Sequence, residues 1–415
     1  MSGRRFLTTM IASWLGLLGF AALINYVVDP YGLFDAPRVD GFNLVKPRAG
    51  ERSRTAKAYQ VLRRMPSTLI VGNSRPEIGL DPASRCWPDA DRPVYNLSLP
   101  GAAAFRQGRY AQHAVVGGGQ GGGKVRQVVW GVDFTDFIGI TTPEEAARRH
   151  WSEHHFEFDD RLLVRADGSP NPWRWYGRFT DQAKGLFSLE GAIDSVSTVL
   201  AQDAPNAATL RADGFNPAFD YLPVIHREGQ AMLFAHKLAY LREFTGTPGR
   251  DVFMPGTRWS ESFQALTDIL RQLREAGVEV ILFINPYHAD YMAVLDEVGK
   301  WDQFEDWKRT LVGIAADTGV AALWDFNAYN RYTLEPSPPA GDRSSVLRWF
   351  WEPAHYRAEY GELMLSIMLP DAACTGGVDA QLELGTRIDA GNLEAHLARL
   401  RAERDVHLGR HAGGG

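Results

Sequence analysis

"STLIVGNSRPEIGLDP", residues 67–82, holds a short apolar run, Leu69 to Val71, that stops at Gly72-Asn73-Ser74-Arg75. Apolar runs of this length read as buried strands. A strand that ends in glycine and then a serine between two polar residues makes an ordinary turn or delivers a hydroxyl to the end of a sheet. The remainder of the chain decides between the two.

From Ser67 onward, apolar strands alternate with helical stretches. The strands fall at 68–71, 94–97, 125–132, 278–284 and 321–324, and helices near 102–115, 259–276, 300–317 and 356–369. Within the second helix, "SESFQALTDILRQLREAG" (260–277) spaces its apolar residues by three and four and closes on glycine, a stop signal. This alternation predicts a three-layer α/β fold around a parallel sheet, with ligands bound beyond the carboxyl ends of the strands. "GGGQGGG" (117–123) reads as a flexible loop, because it lacks the spacing and the Lys-Ser/Thr of a phosphate-cradling loop. Residues 138–255 interrupt the alternation with a segment rich in Trp, Phe, His and Asp, placed after a strand where it would shape a cleft over the carboxyl face. Residues 376–415 read as a polar tail with one helical piece, "NLEAHLARLRAER". No internal repeat is visible.

The 415 residues allow one large domain or two ordinary ones. A hydrophobic share of 45% and a charged share of 23% fit a globular chain with a real core. The net charge of -6 excludes a general nucleic-acid binder, which needs excess positive charge to neutralise phosphates. Cys86 and Cys374 are too few for a disulfide framework or a four-cysteine zinc site, but one bridge is permitted in an oxidising compartment.

Arg4 and Arg5 precede the charge-free "FLTTMIASWLGLLGFAALINYVV" (6–28), which meets the roughly 20 residues a spanning helix needs. A cleaved signal peptide is the competing reading, with Ala21 or Ala22 near a cleavage point, but no clean A-x-A motif follows. A twin-arginine signal would need one more residue before Phe6-Leu7. We therefore read 1–28 as an anchor and 29–66, ending in "RTAKAYQVLRRM", as a juxtamembrane segment. Residues 67–375 are the main domain, exported from the cytoplasm by the positive-inside rule.

Four segments carry candidate chemistry: "IVGNSR" offers Ser74, "YNLSLPGAA" Gly101, "WGVDFTDF" Asp133, and "FWEPAHYRAEYGELML" Glu352 and His355. Each is weak alone. In this order they resemble the SGNH (GDSL-like) hydrolase superfamily, and within it membrane-anchored, exported members associated with acylation of cell-surface polysaccharides. The resemblance covers roughly residues 25–370 without the insertion, and includes "NYVVDPYGLF" and "FNLVKP" after the anchor.

It implies a nucleophilic Ser74, a general base His355 and a carboxylate, Glu352, that orients the imidazole. The family's D-x-x-H turn reads Glu352-Pro353-Ala354-His355 here, one methylene longer, and is expected to lead into a helix near Tyr356. The implied oxyanion donors are the backbone N–H groups of Ser74 and Gly101. The family's third donor, an asparagine in G-x-N-D, is replaced by Asp133, whose carboxylate would repel an oxyanion. Three options stand: two backbone donors suffice, Asn73 or Asn285 replaces the amide, or the site is catalytically weak.

Arg75 is a candidate for binding an anionic substrate group or for pairing with a core carboxylate. "FINPYH" places Asn285 and His288 at a strand's carboxyl end, and Asp325 is similarly placed, so these three are candidates for the rim, against turn, cap or salt-bridge roles. His154 and His155 lack the spaced partners a metal site needs, and no metal or cofactor is expected. The implied function is a serine esterase or acyltransferase acting on a glycan, with acetyl the expected group and a membrane-bound acyl-donor protein the partner of a transferase. The alternative is a non-catalytic glycan-binding or scaffold protein of a polysaccharide complex, degenerate at Asp133.

Overall fold

A computed structural model describes residues 3–121, 123–140, 161–369, 374 and 384–412. Helix α1 (Gly3–Val28) is long and apolar enough to cross a membrane. Its early turns are exposed, and its last residues reach the body, where Asn25 and Val28 are buried. Helix α2 (Ser53–Arg64) is followed by β1 (Thr68–Val71), the short α3 (Ser74–Gly79), β2 (Val94–Asn96), α4 (Ala104–Gly121), β3 (Gln127–Val132) and the two-residue β4 (Gly139–Ile140). The inserted region then supplies α5 (Arg174–Phe187), α6 (Leu189–Leu200), α7 (Tyr221–Glu228), α8 (Gln230–Gly246) and β5 (Arg250–Asp251), which pairs with β4. After these come α9 (Glu261–Glu275), β6 (Glu279–Ile284), α10 (Ala289–Glu297), α11 (Trp301–Thr318) and β7 (Ala322–Asp325). The chain closes with the hairpin β8 (Phe350–Glu352) and β9 (His355–Tyr356), α12 (Ala358–Met368), β10 (Thr386–Arg387) and α13 (Leu393–Ala412).

The fold is mixed α/β around a six-stranded sheet of order β10-β7-β6-β3-β1-β2. The strands from β2 to β7 are parallel, and only β10 is antiparallel to its neighbour. Strand side chains alternate between faces. Leu69, Val71, Val128, Trp130 and Leu282 join one apolar cluster, while Ile70, Val129, Ile281 and Phe283 join another. A sheet buried on both faces explains why these strands read as continuous apolar runs. The chain passes from β1 outward to β2 and then crosses back to β3. The direction of winding therefore reverses between β1 and β3, the place where open sheets of this kind bind ligands at the carboxyl ends.

Three boundary readings change. The "GGGQGGG" stretch is helical as far as Gly121, because α4 packs so closely that a Cβ on Gly117 would sit 2.1 Å from Leu62 Cδ2. Residues 29–66 are part of the body: α2 buries Ala56, Ala58 and Val61, and its Lys57 makes a wholly buried ion pair with Glu77 of α3 at 2.8 Å. The tail also belongs to the body, since β10 extends the sheet beside β7 and α13 places Leu393, Leu397 and Leu400 in the core. Its sequence looked polar because only a narrow stripe of α13 is apolar. Cys86 and Cys374 form a disulfide with Cα atoms 4.7 Å apart. His154 and His155 lie outside the described residues.

Candidate active site

The turn after β1 carries Ser74. Gly72 is required there: its φ is +155°, and a Cβ would lie 2.3 Å from Pro76 Cγ and 2.9 Å from Gly131 O. Asn73 caps α3 by accepting from the Arg75 N–H at 2.9 Å, so Ser74 opens the helix, where backbone N–H groups have no intrahelical acceptor. The neighbouring loop is stitched to this turn: Leu97 N donates to Ile70 O and Leu99 N to Gly72 O, each at 2.8 Å. That loop leads directly to Gly101.

The turn at 352–355 is the bend of a β-hairpin, and the chain leads from it into α12 at Ala358. Its backbone is held from several sides. Arg75 Nε donates to Ala354 O at 2.7 Å, His288 N to Pro353 O at 3.0 Å, and Gln230 Nε2 to Phe350 O at 2.8 Å and Trp351 O at 3.0 Å. In that position His355 Nε2 lies 2.7 Å from Ser74 Oγ, across 281 residues of sequence. The other ring nitrogen, Nδ1, contacts Glu352 Oε1, and Glu352 Oε2 accepts from Ala354 N at 2.9 Å. Ser74 and His355 are half-buried, and Glu352 is buried.

Burial pushes the His355 imidazole below its usual value despite the adjacent Glu352, so the ring is neutral near pH 7. Burial would push Glu352 up, but His355, Lys237 at 3.8 Å and the Ala354 N–H outweigh it and bring the carboxyl down to about 2. A neutral imidazole, held by an ionised carboxylate and facing a serine hydroxyl, is the arrangement that lets serine lose its proton.

Asp133 takes a different part. It is fully buried, its Oδ1 is 2.9 Å from the Arg75 guanidinium, and its Oδ2 accepts from Asn73 Nδ2 at 2.5 Å and Asn285 Nδ2 at 3.0 Å. Arg75 also reaches Tyr291 OH at 3.0 Å and lies over the Tyr287 ring. Asp133 therefore pairs with a core cation, and Arg75 is that cation, with no face left for an anionic substrate. The option of a replacement amide fails for both asparagines, because Asn73 Nδ2 donates to Asp133 and Asp136, and Asn285 Nδ2 donates to Asp133 and Val132 O. Burial, and then Asp133 beside it, push the neighbouring Asp136 carboxyl well above the usual carboxylate range.

Two rim candidates are corrected. His288 is buried, its Nε2 is 2.8 Å from Glu335 O and its Nδ1 accepts from Asp290 N at 3.2 Å; it caps α10 behind the hairpin. Asp325 is wholly buried between Lys308 Nζ at 2.6 Å and His396 Nε2 at 2.8 Å, which ties β7 to α11 and α13. Asn285 accepts from Tyr356 OH at 3.1 Å and fixes the hairpin from below.

The insertion contributes groups that no motif revealed. Tyr221 of α7 stacks on Trp351 at 5.3 Å, with its hydroxyl 3.5 Å from His355 Nδ1, and Lys237 of α8 approaches Glu352. Only their place in an aromatic-rich insertion after a strand hinted at this. No known protein-family profile matches the chain, and no curated protein is significantly similar to it.

Proposed function

We propose that the protein is an SGNH-like serine esterase or acyltransferase, a three-layer α/β domain tethered to the membrane and acting outside the cytoplasm on a glycan. The observation that carries the reading is the Ser74–His355–Glu352 relay, with its 2.7 Å contact between Oγ and Nε2. Ser74 Oγ attacks the acyl carbonyl carbon as its proton passes to His355 Nε2. The oxyanion is met by the N–H groups of Ser74 and Gly101. Collapse breaks the bond to the leaving alcohol, which takes the proton back from His355, and the acyl group stays on Ser74 as an ester. Water or a sugar hydroxyl then attacks that ester, giving up its proton to His355, and the acyl–Oγ bond breaks as Ser74 Oγ takes that proton back. Glu352 holds Nδ1–H and stabilises the imidazolium formed in each half.

The Cys86–Cys374 bridge supports export, since such bonds persist in oxidising compartments. A transferase would receive its acyl group from a membrane-bound donor protein. The test is release of acetate from an acetyl ester by the purified protein, with and without an acceptor glycan, beside Ser74→Ala. Turnover lost in the variant supports the reading. Equal, negligible turnover in both favours the glycan-binding alternative, which draws on the third oxyanion donor being absent at Asp133.

A further inference from the structure

Helix α6 is built inside out. Its buried positions are Gly191, Asp194, Ser195 and Thr198, while Leu189, Ile193, Val196 and Leu200 face outward. A surface helix ordinarily turns its apolar stripe to the core, yet Leu189 and Leu200 each keep 78% of their surface exposed. Two of the inward polar groups are satisfied by the end of α1 and the residues after it: Ser195 Oγ donates to Asn25 Oδ1 at 3.0 Å, and Tyr31 OH donates to Asp194 Oδ2 at 2.5 Å. Helix α5 continues the apolar surface with exposed Trp175, Phe179 and Phe187, and carries exposed Arg178 and Lys184. Asn25 Nδ2 fastens the pair to α1 through Leu186 O at 2.9 Å. The outward face therefore continues the exposed apolar surface of α1 beside its last turns.

We infer that the α5–α6 hairpin is a second membrane element. It sinks into the leaflet from which the body emerges, with Leu189, Ile193, Val196 and Leu200 among the lipid chains. The aromatic and cationic groups of α5 lie at the headgroup level, where Trp, Lys and Arg are favoured. The occupant of this face is lipid, because the face is contiguous with a membrane-length helix and bears the aromatic and basic groups of an interfacial helix. The inference rests on α1 spanning the membrane and is independent of the catalytic reading.

The test uses the full chain in nanodiscs of phosphatidylcholine and phosphatidylglycerol. An environment-sensitive fluorophore is placed at Ile193→Cys or Val196→Cys, with Leu15→Cys in α1 and Gln264→Cys on α9 as references. Labels at 193 and 196 are expected to emit from an apolar setting, lose most of their emission to shallow nitroxide lipids and resist iodide; the label at 264 should do the reverse. Iodide quenching at both 193 and 196, with the label at 15 still quenched by lipid, overturns the inference and leaves the face for a protein partner. A label at 15 that is also open to iodide removes the anchor, and the inference with it.

Discussion

In the proposed reaction Ser74 loses its proton only to an unprotonated base, and burial favours that form of His355. The sign follows from the direction of the shift. A depressed imidazole is free of its proton at all pH values above its own pKa, so activity rises with pH through a limb below the usual histidine value of 6.5. A kcat/KM profile against pH checks this; a limb at or above 6.5 would remove His355 as the base. Ser74→Ala and His355→Ala should each lower kcat by about 10^4- to 10^6-fold, and Ser74→Ala should leave the melting temperature unchanged. Asp133→Asn separates structure from catalysis. Were the carboxylate only a misplaced amide, the variant would gain activity. Since it pairs with buried Arg75, it should lose about 3 kcal/mol of stability and some activity, measured by denaturant unfolding and turnover together.

At the scale of elements, the central strands were legible because a sheet buried on both faces leaves apolar runs of strand length with few other readings. Ser74 and His355 were legible through short motifs whose order fits the chemistry. The partner of Asp133 was not, because nothing within reach of position 133 in sequence names Arg75. His288 and Asp325 read as rim candidates because strand ends attract both functional and structural polar residues, and local sequence does not distinguish a rim from a buried ion pair. The hairpin at 350–356 was read as a turn before a helix, since three- and two-residue strands have no periodicity to detect. Asp325 yields a contrasting prediction. Asp325→Ala leaves Lys308 buried without its counter-charge and should cost about 3–5 kcal/mol. The turnover of each folded molecule should match that of the parent protein.

For the whole molecule, a helix of membrane-spanning length at one end, read as an anchor, and a body integrated through to α13 predict that a reporter fused after Ala412 is active only outside the cytoplasm, as an alkaline phosphatase assay would read; cytoplasmic activity would reverse the topology. Titration of the denatured, unreduced protein should find no free thiol. The bridge between Cys86, beyond the helix of Ser74, and Cys374, beyond the helix that follows His355, closes a span of 288 residues. One peptide-bond cut between Cys86 and Glu352 leaves two fragments, one with the nucleophile and one with the base, still joined as a single covalent species. Nicked protein should therefore migrate as one band until reductant is added, and only then divide into separate pieces.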